Sequence, residues 1–147
     1  MIEEAAALSG LFIAAFGAAT ILPFQSEIVF VGLQLAETVG VVALVIVASI
    51  GNTLGAVVNY GMGLGAERLK GRRWFPVSEA QLARAQAWYA RWGVWTLLMS
   101  WAPLGDAFTV VAGIMRTPWW LFLLLVGLAK TGRYAVLAWI TARAAGA

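Results

Sequence analysis

The chain has 147 residues, of which 62% are hydrophobic and 12% are charged, whereas roughly half of a soluble domain is apolar and about a quarter is charged. This composition excludes an ordinary soluble domain and predicts one integral membrane domain, residues 1–147, with a net charge of +3. The sequence contains neither cysteine nor histidine, which excludes disulfide and thiolate chemistry and removes the commonest metal ligand.

Four hydrophobic blocks follow one another at residues 11–35, 39–64, 95–115 and 119–142. The second and fourth are long enough for spanning helices of about 20 residues. The first and third are interrupted near their middle, by Pro23, Gln25, Ser26 and Glu27 and by Pro103, Gly105 and Asp106. Proline inside a helix costs about 3 kcal/mol or more, and irregular backbone survives within a membrane only under a cover of protein or water. We therefore predict that each interrupted block is a re-entrant helical hairpin.

The order of the blocks predicts an all-α membrane fold with two inverted repeats, each a hairpin followed by a transmembrane helix. The repeats cover residues 8–66 and 93–143, and a basic loop, residues 67–92, joins them. By the positive-inside rule this loop faces the cytoplasm from the plasma (inner) membrane. Topology and anionic headgroups account for the basic residues, so we expect no nucleic-acid partner. If the first block crosses as one kinked helix, the N-terminus is cytoplasmic instead of outside.

The loop is expected to contain an amphipathic helix on the membrane surface. Ser78 is its predicted cap, with Gln81 as the capping-box partner three residues later. Its apolar face contains Leu82, Ala85, Tyr89 and Trp92.

One face of the second block is predicted to be rich in small residues, with Gly51, Gly55, Gly61, Gly63 and Gly65 on it. Such residues allow two helices to approach closely. The first interpretation is packing of this helix against a hairpin. A homodimer through the same face is the alternative.

Glu27 and Asp106 are the leading candidates for a functional site, because a carboxylate at the centre of a bilayer costs about 2.5–3.5 kcal/mol. Each is interpreted as a proton-binding or headgroup-binding acid, or as a cap for the half-helix that follows it. Lys130 and Arg133 share a face of the last helix. We predict that they pair with one of the acids, and Arg133 alternatively holds a lipid phosphate.

Asn59 and Tyr60 are candidates for the polar lining of the same path, with ordinary packing as the alternative. Gln25 and Ser26 are expected to satisfy the backbone of the turn. The predicted substrate or proton-binding set is Glu27, Asp106, Lys130, Arg133, Asn59 and Tyr60, and the predicted breaks are Pro23, Gln25, Ser26, Pro103 and Gly105.

These segments together resemble the DedA family of membrane proteins, also called the SNARE-associated or VTT-domain family, and especially its YqaA-like branch. The resembling segments are residues 16–23, 26–27, 51–55, 59–63, 89–93, 100–106, 112–113, 127–130 and 132–134. The resemblance implies two re-entrant hairpins in an inverted repeat. It also implies movement of lipids between leaflets, with polyprenyl phosphate, phosphatidylethanolamine and other phospholipids as substrates of relatives, and a proton dependence linked to membrane acids.

The second hairpin departs from the larger DedA branch. That branch carries an Arg-aromatic-x-Pro-x-x-Arg pattern, whereas residues 100–106 here read Ser-Trp-Ala-Pro-Leu-Gly-Asp. Both arginines of the pattern are missing. A phosphate-binding role is therefore not transferred to this hairpin, and Lys130 and Arg133 are the alternative cations.

The function expected from these features is lipid translocation without ATP, because the sequence has no phosphate-binding P-loop. A proton-coupled carrier of small solutes and a non-transporting membrane scaffold are the alternatives. We expect no enzyme activity, no cofactor and no metal. The expected partners are membrane lipids, protons and a second copy of the chain.

Overall fold

The computed structural model describes residues 2–20, 25–37, 39–65, 79–100 and 105–146, without the side chains of residues 19, 20, 25, 79, 105 and 106. Throughout this part of the chain the regular structure is helical, as the sequence predicts. The elements are α1 Ile2–Thr20, α2 Gln25–Ala36, α3 Val41–Leu64, α4 Glu79–Trp92, a 3-10 helix Gly93–Met99, α5 Gly105–Ile114 and α6 Trp119–Gly146.

Among the described residues, two helices are long and apolar enough to cross a membrane, α3 with 24 residues and α6 with 28. At 1.5 Å per residue they extend about 36 and 42 Å, which exceeds the hydrocarbon core of about 30 Å. On α3, at least half of the surface of Val42, Ile46 and Ile50 is exposed, which suits contact with lipid. By length and composition, α3 and α6 are the two spanning helices predicted from the second and fourth blocks.

Both interrupted blocks are divided between two helices. α1 and α2 are separate and contact each other, and the 3-10 helix and α5 are likewise separate and in contact. Pro23 and Pro103 lie outside the described residues. Three residues predicted to lie in the breaks begin helices instead, since Gln25 and Ser26 open α2 and Gly105 opens α5. The first turn of a helix leaves its N–H groups without intrahelical partners, so polar residues and glycine fit there as well.

Two charged residues in the left-handed conformation end the helices that follow the breaks. Glu37 comes directly after α2 with φ 56°, and Arg116 comes shortly after α5 with φ 55°. The Glu37 N–H donates to the carbonyl of Gln34 at 3.2 Å, and the Arg116 N–H donates to that of Gly113 at 3.0 Å. Glycine is the usual residue at such caps. A long helix begins a few residues after each of them.

The chain forms two compact units, Met1–Gly55 with Lys130–Ala147 and Ala56–Ala129. The division passes through α3 and α6, so each unit contains part of both long helices. The first unit also contains α1 and α2, and the second contains α4, the 3-10 helix and α5. The predicted boundaries of the single membrane domain, with its repeats and loop at residues 8–66, 67–92 and 93–143, stay a prediction.

In the first unit, α1 and α3 approach closely at Gly51. A Cβ at this position would lie 2.8 Å from the carbonyl oxygen of Phe12. The next residue, Asn52, donates from Nδ2 to the carbonyl of Ala15 at 2.9 Å. The core of the unit consists of Leu11, Ala15, Phe30, Val39, Leu44, Ala48, Tyr134 and Ala138.

In the second unit, α3 and α5 approach closely where Gly63 faces Gly113. A Cβ at either glycine would lie 2.9 Å from the Cα of the other. The same end of α3 contacts the start of α6, since the rings of Tyr60 and Phe122 lie 4.7 Å apart. The predicted packing of the glycine face against other helices is confirmed at Gly51 and Gly63.

The apolar face of α4 is covered by protein. Leu82, Ala85 and Tyr89 are buried in the core of the second unit, whereas Trp92 is 52% exposed. The sequence predicts this face on the membrane surface, and for the three buried residues that prediction is wrong. An amphipathic pattern indicates only that one face of the helix is buried away from water. In this chain that face packs against neighbouring helices.

Candidate functional site

An ion pair joins α2 to α6 in the first unit. Glu27 Oε1 contacts Arg133 Nη2, and the two side chains are 30% and 27% exposed. Pairing offsets much of the cost of removing each charge from water. Glu27 lies in the first turn of α2, where the helix dipole also favours a negative charge. Of the two acids predicted as partners of Arg133, the structure brings Glu27 to it.

Tyr134, the residue after Arg133 on α6, strengthens the same contact between α2 and α6. Its hydroxyl forms a 2.8 Å hydrogen bond with Ser26 Oγ, and its ring stacks on Phe30 with 5.5 Å between centroids. Tyr134 is 1% exposed, and a buried tyrosine hydroxyl requires a partner of this kind. Tyr134 is not among the site residues predicted from the sequence. The signal available was its position beside an arginine in an apolar helix.

Gln34 extends the contact toward the C-terminal end of α2. Its Nε2 donates to the carbonyl of Ala138 at 2.9 Å. Glu27 and Gln34 are seven residues apart, so they share a face of α2. Because Glu27 pairs with Arg133 and Gln34 with Ala138, α2 and this part of α6 run in the same direction. The seven-residue spacing of two polar residues was the missed sequence signal for Gln34.

Lys130 is a buried cation of α6, with 1% of its surface exposed. It lies three residues before Arg133 and therefore on the same side of the helix. A buried ammonium group is stable only where polar or charged groups compensate for its lost hydration. The first unit thus contains two of the predicted cations together with Glu27.

On the part of α3 that belongs to the first unit, two buried polar atoms have no hydrogen-bond partner among the described residues, Ser49 Oγ and Asn52 Oδ1. The Asn52 amide is oriented by its Nδ2 bond to Ala15, so Oδ1 remains an acceptor. Ser49 and Asn52 are three residues apart and share a face of α3. Unpartnered buried acceptors are rare in proteins. Neither residue is among the site residues predicted from the sequence.

Asn59 and Tyr60 belong to the second unit. Asn59 Nδ2 donates to Thr109 Oγ1 of α5 at 3.2 Å, and the Tyr60 hydroxyl donates to the carbonyl of Thr117. Tyr89 of α4 forms a hydrogen bond with the Thr117 hydroxyl, and burial raises the pKa of Tyr89 above its ordinary value. These contacts join α3 to α5, and join α3 and α4 to the segment between α5 and α6, which favours the packing interpretation of Asn59 and Tyr60.

Asp106 is the second residue of α5, and its side chain lies outside the described part of the structure. Its place in the chain matches that of Glu27, since each lies in the first turn of a helix that follows a break. Both positions suit a carboxylate, because the dipole favours negative charge there. The role of Asp106 stays a prediction.

Comparison with known proteins gives a consistent result over most of the chain. The VTT-domain family model matches residues 22–143. The chain is 35% identical over 139 residues to the inner membrane protein YqaA of Escherichia coli, covering 92% of each chain. It is 33% identical over 150 residues to an uncharacterized protein of Haemophilus influenzae, covering 94% of this chain and 89% of the relative. No solved structure matches.

The matched region contains every predicted site residue, from Pro23 to Arg133. It also contains both helices that are long and apolar enough to cross a membrane, apart from the last turn of α6. The family model and the relatives therefore agree with the resemblance seen in the sequence. This chain belongs to the DedA family of membrane proteins, whose shared domain is the VTT domain.

Proposed function

We propose that this protein moves lipid headgroups between the two leaflets of a membrane without ATP, along a polar groove that includes the Glu27–Arg133 pair. The observation that carries the proposal is the ion pair itself, formed at the start of a helix that follows a break. The two side chains are 27% and 30% exposed, so an entering headgroup has access to part of each. Ionisable groups within membrane segments commonly mark substrate or proton paths.

The Arg133 guanidinium is able to bind either the Glu27 carboxylate or a lipid phosphate. A phosphate presents several oxygens to a guanidinium and forms bidentate, charge-assisted hydrogen bonds with it. A headgroup phosphate would therefore replace Glu27 as the partner of Arg133. A proton taken up by Glu27 would cancel the negative charge left behind, which gives the proposed proton dependence.

The unpartnered acceptors of α3 support a polar path in the same unit. Ser49 Oγ and Asn52 Oδ1 are buried and would accept hydrogen bonds from water or from the headgroup in transit. Each unsatisfied buried polar group costs about 1–3 kcal/mol. Occupation by water or a headgroup removes that cost, because the missing donors are then supplied.

The proposed fold is an inverted repeat with two re-entrant hairpins. The helix after each break packs on the long helix of the other half, α2 on α6 and α5 on α3. Glu37 and Arg116 end α2 and α5 in the same left-handed conformation. These parallels between the halves support the repeat.

We further propose the plasma (inner) membrane as the location, with the basic loop on the cytoplasmic side and no enzyme activity. The Escherichia coli relative is named an inner membrane protein, which supports this location. Gly51 and Gly63 are occupied by contacts within the chain, so a homodimer would need another surface.

The test is lipid scrambling in liposomes that contain the purified chain, fluorescent phospholipids and a membrane-impermeant quencher. Wild type is expected to scramble, and Glu27→Gln and Arg133→Gln are expected to reduce the rate at least tenfold. Glu4→Gln is the matched control, because Glu4 is an exposed acid in the first turn of α1. Its rate should equal that of wild type.

Other outcomes distinguish the alternatives. Substrate uptake that requires an imposed proton gradient, without scrambling, would assign the chain to the solute carriers. Folded variants that scramble as fast as wild type would remove the Glu27–Arg133 pair from the mechanism.

A further inference from the structure

The face of α4 opposite its buried side combines arginine and tryptophan. Arg84, Trp88 and Arg91 are spaced four and three residues apart, so they share one side of the helix. The side chains of Arg84 and Arg91 are exposed, and Trp88 is 45% exposed. The buried residues of α4 point away from this side, because they belong to the core of the second unit.

Aromatic side chains continue this surface past the end of α4. Trp92 is 52% exposed, with the Arg91 guanidinium carbon 5.4 Å from its ring centroid, and Trp95 in the 3-10 helix is 66% exposed. Residues 80–100 include no acidic residue. The surface formed by Arg84, Trp88, Arg91, Trp92 and Trp95 is here called the Arg–Trp face.

We infer that the Arg–Trp face binds the headgroups of anionic lipids at the membrane surface. Its cations complement negative headgroups, and guanidinium groups form bidentate hydrogen bonds with phosphate. Indole rings are enriched at the headgroup level of membranes because they combine an apolar ring with an N–H donor. An exposed helix face of tryptophan and arginine without acids fits this partner in both charge and polarity. The inference goes beyond lipid movement and does not depend on it.

The experiment measures lipid binding to the purified full-length chain by native mass spectrometry. Phosphatidylglycerol is titrated against phosphatidylcholine, which has the same phosphate but no net charge. Wild type is expected to prefer phosphatidylglycerol, and Arg84→Gln with Arg91→Gln should weaken its binding about fivefold for each arginine removed. The preference should also fall in high salt, because the screening length drops to about 3 Å at 1 M.

Arg143→Gln is the matched control. Arg143 is also exposed and also lies 5.4 Å from a tryptophan ring, that of Trp139, but it belongs to α6. Its substitution should leave the preference unchanged. All of the substituted residues are exposed, so the fold is expected to persist; if the double variant does not fold, Arg84→Gln alone carries the test.

Three results would overturn the inference. The first is equal binding of the two lipids by wild type, and the second is a double variant that retains the full preference. The third is binding of a labelled single-stranded oligonucleotide that the double variant loses while its lipid binding stays intact. That result would assign the face to nucleic acid. Loss of scrambling in the Glu27 variant does not bear on this test, since binding is measured without transport.

Discussion

Contacts of the neighbouring residues of α2 help to hold Glu27 in place beside Arg133. Ser26 on one side of it bonds to the Tyr134 hydroxyl, and Phe30 one turn later stacks on the Tyr134 ring. Arg133, the partner of Glu27, precedes Tyr134 in the chain. The buried Tyr134 thus positions the start of α2, and with it Glu27 beside the Arg133 guanidinium.

Tyr134→Phe is expected to lower the free energy of unfolding by about 1 kcal/mol, because the ring and its stacking remain while the hydrogen bond to Ser26 is lost. Thermal unfolding in detergent measures the change. Ser26→Ala should cost a similar amount, and the double variant should cost no more than either single variant. Fully additive losses would mean that the two hydroxyls act independently.

At the scale of helices, two close approaches depend on glycine. Gly51 allows α1 to approach α3 closely, and Gly63 and Gly113 allow α5 to approach α3 closely. Such contacts bring backbones together where larger side chains would hold them apart. The polar bonds of Asn52 and Asn59 lie beside them, so helix spacing and hydrogen bonding depend on each other.

Gly63→Ala is expected to destabilise the protein by about 1–3 kcal/mol, because the new methyl group would overlap the backbone of α5. Gly61→Ala is the matched control on the same helix, since nothing lies within 4 Å of a Cβ at that position. Alanine there should be neutral or should stabilise the helix by up to about 1 kcal/mol. Equal effects of the two substitutions on the unfolding temperature would contradict a role for close packing at Gly63.

For the whole molecule, each compact unit combines one interrupted block with parts of both long helices. Neither half of the sequence therefore forms a unit alone. This arrangement agrees with the proposed inverted repeat, in which the helix after each break packs on the long helix of the other half. The direction in which each segment crosses the membrane then determines which side carries the N-terminus and which carries α4.

The membrane topology is testable because the chain contains no cysteine. Glu4→Cys and Gln86→Cys introduce single thiols at exposed positions of α1 and α4. In intact Escherichia coli cells, a membrane-impermeant maleimide should label Glu4→Cys and not Gln86→Cys. Both should react after permeabilisation. Protection of Glu4→Cys would place the N-terminus in the cytoplasm and replace the first re-entrant hairpin with a kinked spanning helix.

The sequence contained much of the fold at the level of elements. The extents of α3 and α6 followed from the length of uninterrupted apolar blocks, and the divided blocks followed from proline, which cannot continue a helix. Periodicity also identified the apolar face of α4. Periodicity did not show what buries this face, because an apolar face can be buried either in a membrane or in a protein core.

Composition, block length and motif order are properties of the chain alone, and they were enough to assign a helical membrane protein of the DedA family. The pairing of Glu27 with Arg133, the contacts of Tyr134 and Gln34 and the protein cover over the apolar face of α4 depend instead on the packing of the helices. Ser26 and Tyr134 are 108 residues apart. Contacts at such separations depend on how the helices pack, and a local pattern does not record that.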